Sequence, residues 1–153
     1  MNRREKVDRD FISSMSFQEK TTWVELACVL LVYGVYFFDI TTALSHLPVA
    51  DISYQSAMLR TVGLLIALII IGAIVVASLA PDEADTSDER DRIFGWRGEA
   101  FGAYVLSAGM ITALIAAMME IEHFWIANGL LLGLVLAELA SGACKLLLYR
   151  GAI

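Results

Sequence analysis

The sequence predicts an all-α membrane protein, a bundle of four transmembrane helices that form two antiparallel hairpins. Of its 153 residues, 58% are hydrophobic and 18% are charged, and the mean hydropathy of +0.68 is too high for a soluble domain of this length. Four windows reach the roughly 20 mostly apolar residues that a helix needs to cross the hydrocarbon core. One long polar segment, residues 81–99, separates the two apolar halves.

The four windows define a single transmembrane domain over residues 21–150. Its spans are expected at about 21–44, 58–80, 100–119 and 124–148. Residues 1–20 are too polar and too numerous for the charged region of a cleavable signal peptide, so the first span is expected to remain as a signal anchor. This cytoplasmic tail has two open interpretations, a short interfacial helix on the inner leaflet or a disordered segment.

The first two spans differ in polarity. The first has Trp23 near its start and Tyr33 and Tyr36 toward its end, a pattern typical of aromatic belts at the two membrane interfaces. Glu25 lies about one turn inside the inner boundary, where an ionised carboxylate needs a partner. After Arg60 at its start, the second span has no ionisable residue and is rich in Ile and Val, so it is expected to face lipid most.

Residues 81–99 are predicted to become helical partway along. Thr86 and Glu89 match the capping box, in which Thr86 accepts a hydrogen bond from the backbone N–H of Glu89. We therefore expect a helix from about Ser87 that runs into the third span as its cytoplasmic extension. The charged residues of this extension are predicted to bind a partner: Asp88, Glu89, Arg90, Asp91 and Arg92.

Small residues recur at four-residue intervals in the third and fourth spans, a pattern that lets helix backbones approach closely. The predicted helix-packing residues are Gly98, Gly102 and Gly109 before and within the third span, and Gly129, Gly133, Ala137 and Ser141 in the fourth. The two stripes are expected either to meet each other or to form a homodimer contact. Ser107 and Asn128 are interpreted as interhelical hydrogen-bonding groups.

Basic residues predict the orientation of the chain, because Lys and Arg near span ends favour the cytoplasmic side. Ten of the eleven Lys and Arg residues lie in the tail, in residues 81–99, or at the end of the fourth span. Arg60 is the eleventh, and it is expected to pair with Asp39 and Asp51 at the outer interface. Both termini and residues 81–99 are therefore expected in the cytoplasm.

Five ionisable residues are predicted to form an intramembrane polar cluster: Glu25, Arg97, Glu99, Glu138 and Lys145. Glu138 lies deep in the fourth span, where a charge costs at least ~2.5 kcal/mol, and its expected contacts are Arg97 and Glu99. One interpretation is a proton or cation binding site centred on Glu138. The other is a structural cluster that fixes helix register through Lys145 or a neighbouring hydroxyl.

Other chemistry has little support in the sequence. Weak candidates for a metal site lie at the outer turns: His46, Glu120, Glu122 and His123. Their spacing matches no metal motif, so metal binding is left open, and no cofactor is expected. Motifs for nucleophilic catalysis and nucleotide binding are absent, which indicates that the protein is not an enzyme. Residues 81–99 are acidic overall, which argues against nucleic-acid binding.

Two stretches of the chain resemble known proteins. The stretches DERDRIFGWRGEAFGAYVL and FWIANGLLLGLVLAELASGACKLLLYRGA resemble an uncharacterised family of small bacterial four-span membrane proteins with a DERD-type cytoplasmic loop. The most distinctive residues are 88–91, 124–128 and 137–139. The resemblance implies a multi-pass protein of the bacterial inner (cytoplasmic) membrane. Such proteins are often found beside small helix-turn-helix regulators, which implies a regulatory or sensing role.

Two functional hypotheses remain. The first is a non-enzymatic integral membrane accessory or sensor protein that acts through its cytoplasmic face. The alternative is a small oligomeric transporter, coupled to protons or cations, that uses the intramembrane carboxylates. Besides the lipid bilayer, the expected partner is a second copy of the chain or a larger membrane or cytoplasmic protein.

Overall fold

The computed structural model describes residues 17–79 and 89–151. In these ranges the chain is 91% helical and contains no strand, which confirms the all-α fold class. The long helices are α1 (Phe17–His46), α2 (Gln55–Leu79), α3 (Glu89–Met118) and α4 (His123–Tyr149), with a short 3-10 helix at Val49–Asp51. All four are long and apolar enough to cross a membrane. The chain is therefore a multi-pass membrane protein.

The helix ends differ in places from the predicted spans. Helix α1 begins at Phe17, so the last residues of the predicted tail are helical, and it ends two residues before Pro48, which cannot continue a helical hydrogen-bond ladder. Helix α3 begins at Glu89 and is continuous through the third span. The predicted cap at Thr86, the charged residue Asp88 and most of the tail lie outside the described residues.

A tight turn joins α3 to α4. The backbone N–H of Ile121 donates to the carbonyl of Ala116, and that of Glu120 donates to the carbonyl of Ala117, both at 3.1 Å. These two bonds form a Schellman motif, with Glu120 in the left-handed conformation at a φ of 56°. The chain therefore reverses at once, and α4 runs back along α3 in the opposite direction.

The helix contacts define an order across the molecule. Helix α3 packs most extensively on α4, while α1 contacts both α2 and α4. Other pairs of helices make at most marginal contact within the described ranges. The helices therefore lie in the order α2–α1–α4–α3. Helix α2, at one edge, is the least buried of the four spans, as its composition predicted.

Helices α1 and α4 share the buried core. Tyr33 is 2% exposed and lies with other buried apolar residues of both helices in one cluster. The Tyr36 hydroxyl donates a 2.8 Å hydrogen bond to Oδ1 of Asn128, whose Nδ2 donates to the carbonyl of Phe124 at 2.9 Å. Asn128 is thus an interhelical group as predicted. Ser107 is not, because its hydroxyl donates to the Ala103 carbonyl one turn back in its own helix.

Helices α3 and α4 meet through their small residues. A Cβ added to Gly102 would lie 2.9 Å from the carbonyl oxygen of Ala137 and from Cβ of Ser141, and one added to Gly109 would lie 3.2 Å from Cα of Gly133. Gly98 faces Ser141 and Lys145 in the same way. These distances leave no room for larger side chains, so the two backbones are in direct contact. Gly129 differs, since its Cβ would meet nothing within 4 Å.

This difference gives a matched pair of substitutions. Alanine in place of glycine stabilises a helix interior by roughly 0.5–1 kcal/mol, so Gly129→Ala is expected to preserve or raise stability. Gly102→Ala forces a backbone carbonyl to move, and overpacking of this kind costs about 1–3 kcal/mol. We expect Gly102→Ala alone to lower the thermal midpoint in detergent micelles. Equal midpoints for the two variants would contradict the close approach of α3 and α4.

Candidate functional site

Charged and aromatic residues lie close together at the end of the molecule where α1 and α3 begin and α4 ends. This region is called here the charged end. The Arg150 guanidinium lies 5.7 Å from the ring centre of Trp23 on α1. The rings of Phe94 and Tyr149 pack edge to face with centres 5.2 Å apart. Three helices are therefore joined at this end by side chains that suit the interface between lipid and water.

Lys145 is the centre of the predicted polar cluster. Its Nζ lies 3.7 Å from Oε1 of Glu99, and the two side chains are 22% and 69% exposed. Lys145 also lines a narrow cleft between α1 and α4 together with Glu25 and Glu138. The Lys145 ammonium group therefore pairs with a carboxylate of α3, and Lys145 shares the cleft with Glu25 of α1 and Glu138 of its own helix.

The cleft is small and partly polar. Its volume is about 30 Å³, which is room for roughly one or two water molecules. Thr22 and Ser141 also line it. Both Lys145 and Glu138 interact electrostatically with Glu25. The cleft has room for a water molecule, and it is too small for an organic substrate.

Two members of the predicted cluster do not make the contacts expected of them. Glu138 is exposed on the surface of the chain, not buried, and the contact to Glu99 comes from Lys145. Arg97 is exposed and forms no ion pair with a described residue. The cause is helix geometry: Gly98 faces α4 directly, so its neighbour Arg97 is turned about 100° away from that contact.

The predicted partner-binding residues occupy the first turns of α3. Glu89 and Arg92 form an exposed ion pair at 3.5 Å, which contributes about 0–1 kcal/mol. Arg90 lies 5.0 Å from the ring centre of Phe94, and Arg92 lies 5.6 Å from that of Trp96. Sequence analysis missed this stacking, although the four-residue spacing of arginine and aromatic residue predicts it on a helix.

The opposite end of the helices carries the weak metal candidates. His46, Glu120, Glu122 and His123 are all exposed there. Within the described residues, no group of three His, Cys, Asp or Glu side chains could hold a metal ion. Arg60 also differs from expectation, because its guanidinium donates to the carbonyl and the hydroxyl of Ser56 and forms no ion pair with Asp39 or Asp51.

Comparison with known proteins finds no matching family model, no similar curated protein and no similar solved structure. The family resemblance read from the sequence therefore stays a prediction.

Removal of the charge of different cluster residues is expected to lower the stability of the protein by different amounts. Glu99 is largely solvated, so Glu99→Gln is expected to lower the free energy of unfolding by less than about 1 kcal/mol. Lys145→Met leaves Glu25 and Glu138, both within spans, with no cation in their cleft, and is expected to cost up to about 2.5 kcal/mol. Adding Glu138→Gln to Lys145→Met should restore part of that loss. Denaturant titration in micelles measures all three, and a double variant no better than Lys145→Met would contradict the coupling.

Proposed function

We propose that the protein is a non-enzymatic membrane accessory or sensor protein that acts through its charged end, which faces the cytoplasm. The observation that carries this proposal is the projection of α3. Its residue Phe94 packs on Tyr149, the last residue of α4. Glu89 precedes Phe94 by five residues, so the helix continues about 7.5 Å past the end of its neighbour.

The first turns of α3, residues 89–96, are called here the projecting turns and combine charge with exposed apolar surface. Trp96 is 67% exposed and Ile93 is 42% exposed, while Arg90 and Arg92 stack on aromatic rings of the same helix. Stacking holds the guanidinium groups in place. Arg92 also pairs with Glu89, whereas Arg90 forms no ion pair with a described residue and can donate to a partner. Arginine and aromatic residues are enriched at protein interfaces, so this surface favours an acidic or mixed-charge protein partner.

The proposed orientation rests on charge. Arg90, Arg92 and Arg97 on α3 and Lys145 and Arg150 on α4 all belong to the charged end, while Arg60 lies near the opposite end. Basic residues beside span ends favour the cytoplasmic side. Both termini and the projecting turns of α3 would then share one aqueous compartment, in the inner membrane of a bacterium.

Site-specific crosslinking tests the proposal. A photoreactive amino acid at Ile93 is expected to give one discrete crosslinked product in native membranes, because the exposed face of the projecting turns contacts the partner. The same probe at Leu59, which is exposed near the opposite end, should not give that product. Reversal of charge by Arg90→Glu with Arg92→Glu should remove the product.

A matched charge reversal serves as the control. Glu122→Lys changes an exposed residue near the opposite end and should leave the Ile93 product unchanged. If no discrete product forms, or if the product still forms after charge reversal at both arginines, the projecting turns of α3 are not the interaction surface.

The second candidate is a small oligomeric carrier for protons or cations. The observation in its favour is the cleft that Glu25, Glu138 and Lys145 share. Glu138 is exposed within a span, and a carboxylate in that position needs a partner. A second copy of the chain would supply one and would close the site.

Ion flux tests this candidate. If the protein is a carrier, protein reconstituted into sealed vesicles should dissipate an imposed proton or cation gradient, and Glu138→Gln should abolish the flux because it removes the ionisable group. Glu122→Gln, at an exposed residue outside the cleft, should transport like the natural chain. If the gradients decay no faster than in protein-free vesicles, the protein is not a carrier, and the cluster around Lys145 is structural.

A further inference from the structure

A groove opens between α1 and α2 toward the end of the spans opposite the charged end. Its volume is about 440 Å³, within the roughly 300–1,000 Å³ typical of ligand sites. Its apolar lining includes Leu31, Val32, Val35, Ile40, Ala57 and Leu64. Helices α1 and α2 contact each other less extensively than α3 and α4 do, which leaves this space between them.

Two opposite charges border the apolar groove without meeting. Asp39 from α1 and Arg60 from α2 both line it, yet they form no ion pair within 4.0 Å. Arg60 donates Nε–H to the Ser56 carbonyl and one Nη2–H to the Ser56 hydroxyl. A guanidinium has five N–H donors, so three point to no described acceptor.

The depth of these charges matches a lipid headgroup region. Asp39 lies seven residues before the end of α1 at His46, or about 10 Å along the helix, and Arg60 lies about 8 Å from the start of α2 at Gln55. Both are therefore near the boundary of the hydrocarbon core, and the apolar lining continues from them toward Leu31, deeper in the span.

We propose that this groove binds a zwitterionic phospholipid, phosphatidylethanolamine. Arg60 binds the phosphate through its free N–H donors, Asp39 binds the ammonium group, and one acyl chain lies along the apolar lining. This ligand is assigned by charge complementarity. An anionic lipid such as phosphatidylglycerol would satisfy Arg60 and leave Asp39 facing a negative headgroup, and an uncharged amphiphile would satisfy neither residue.

Lipid retention by the full chain tests the proposal. Protein in detergent is mixed with equal amounts of phosphatidylethanolamine and phosphatidylglycerol, and bound lipid is counted by native mass spectrometry. We expect one phosphatidylethanolamine to be retained in preference, by up to about fivefold, which corresponds to one surface ion pair. Asp39→Asn should abolish the preference while lipid still binds. Arg60→Gln should weaken retention of both lipids.

Control charges lie outside the groove. Asp51→Asn, at an exposed acid near the same end, and Arg97→Gln, at an exposed arginine of the charged end, should keep the preference. Retention of both lipids in equal amounts by the natural chain, a preference for phosphatidylglycerol, or equal loss in the control variants would each overturn the proposal.

A steric variant tests the groove without changing charge. Val35 is 62% exposed and lines the groove, whereas Leu30 is 57% exposed and does not. Val35→Trp is expected to block the bound lipid, and Leu30→Trp is expected to retain it, with similar thermal midpoints for both. If Val35→Trp instead dissociates a dimer and lipid retention is unchanged, the groove holds a second copy of the chain and the lipid proposal is wrong.

Discussion

The direct contact of two helix backbones determines most of this structure. Gly102 lies against Ala137, and Gly109 lies against Gly133, at distances that a methyl group would disturb. Lipid tails are as apolar as the helices, so burial of apolar surface adds little and association inside a membrane depends on close packing and hydrogen bonds. The register of this contact brings Gly98 against Lys145 and so places the ammonium group beside Glu99.

Helix α4 joins the rest of the molecule through two different faces. Its small residues meet α3, while Asn128 accepts the hydrogen bond from Tyr36 on α1, and a missing partner for such a buried group costs about 1–3 kcal/mol. Close packing of small residues tolerates little change in side-chain size, whereas the large apolar side chains between α1 and α4 can adjust their conformations. Among the described residues, helix α2 makes extensive contact only with α1. That less extensively packed edge contains the proposed lipid groove, and the closely packed α3–α4 pair carries the proposed interaction surface.

The sequence predicted the features that depend on one helix at a time. Hydropathy identified the four helices, and the four-residue period identified Gly102, Gly109 and Gly133. The sequence did not predict features that depend on how neighbouring helices are rotated and spaced. Glu138 was expected to be buried, yet its position on α4 places it at the surface. Arg60 was expected to pair with Asp39, but the two residues line the groove between α1 and α2 without an ion pair, and the nearby Ser56 supplies acceptors within one turn. Rotation and spacing of neighbouring helices are set by contacts that no single-helix pattern encodes.

The central functional claim is that the charged end faces the cytoplasm. Cysteine labelling measures this directly in a chain whose two cysteines, Cys28 and Cys144, are replaced by alanine. Single cysteines at Arg92 and at Leu47, both exposed and near opposite ends, are treated with a membrane-impermeant maleimide on sealed right-side-out vesicles. The account predicts that Leu47→Cys is labelled at once and Arg92→Cys only after the membrane is opened. The reverse pattern, or labelling of both in sealed vesicles, would contradict it.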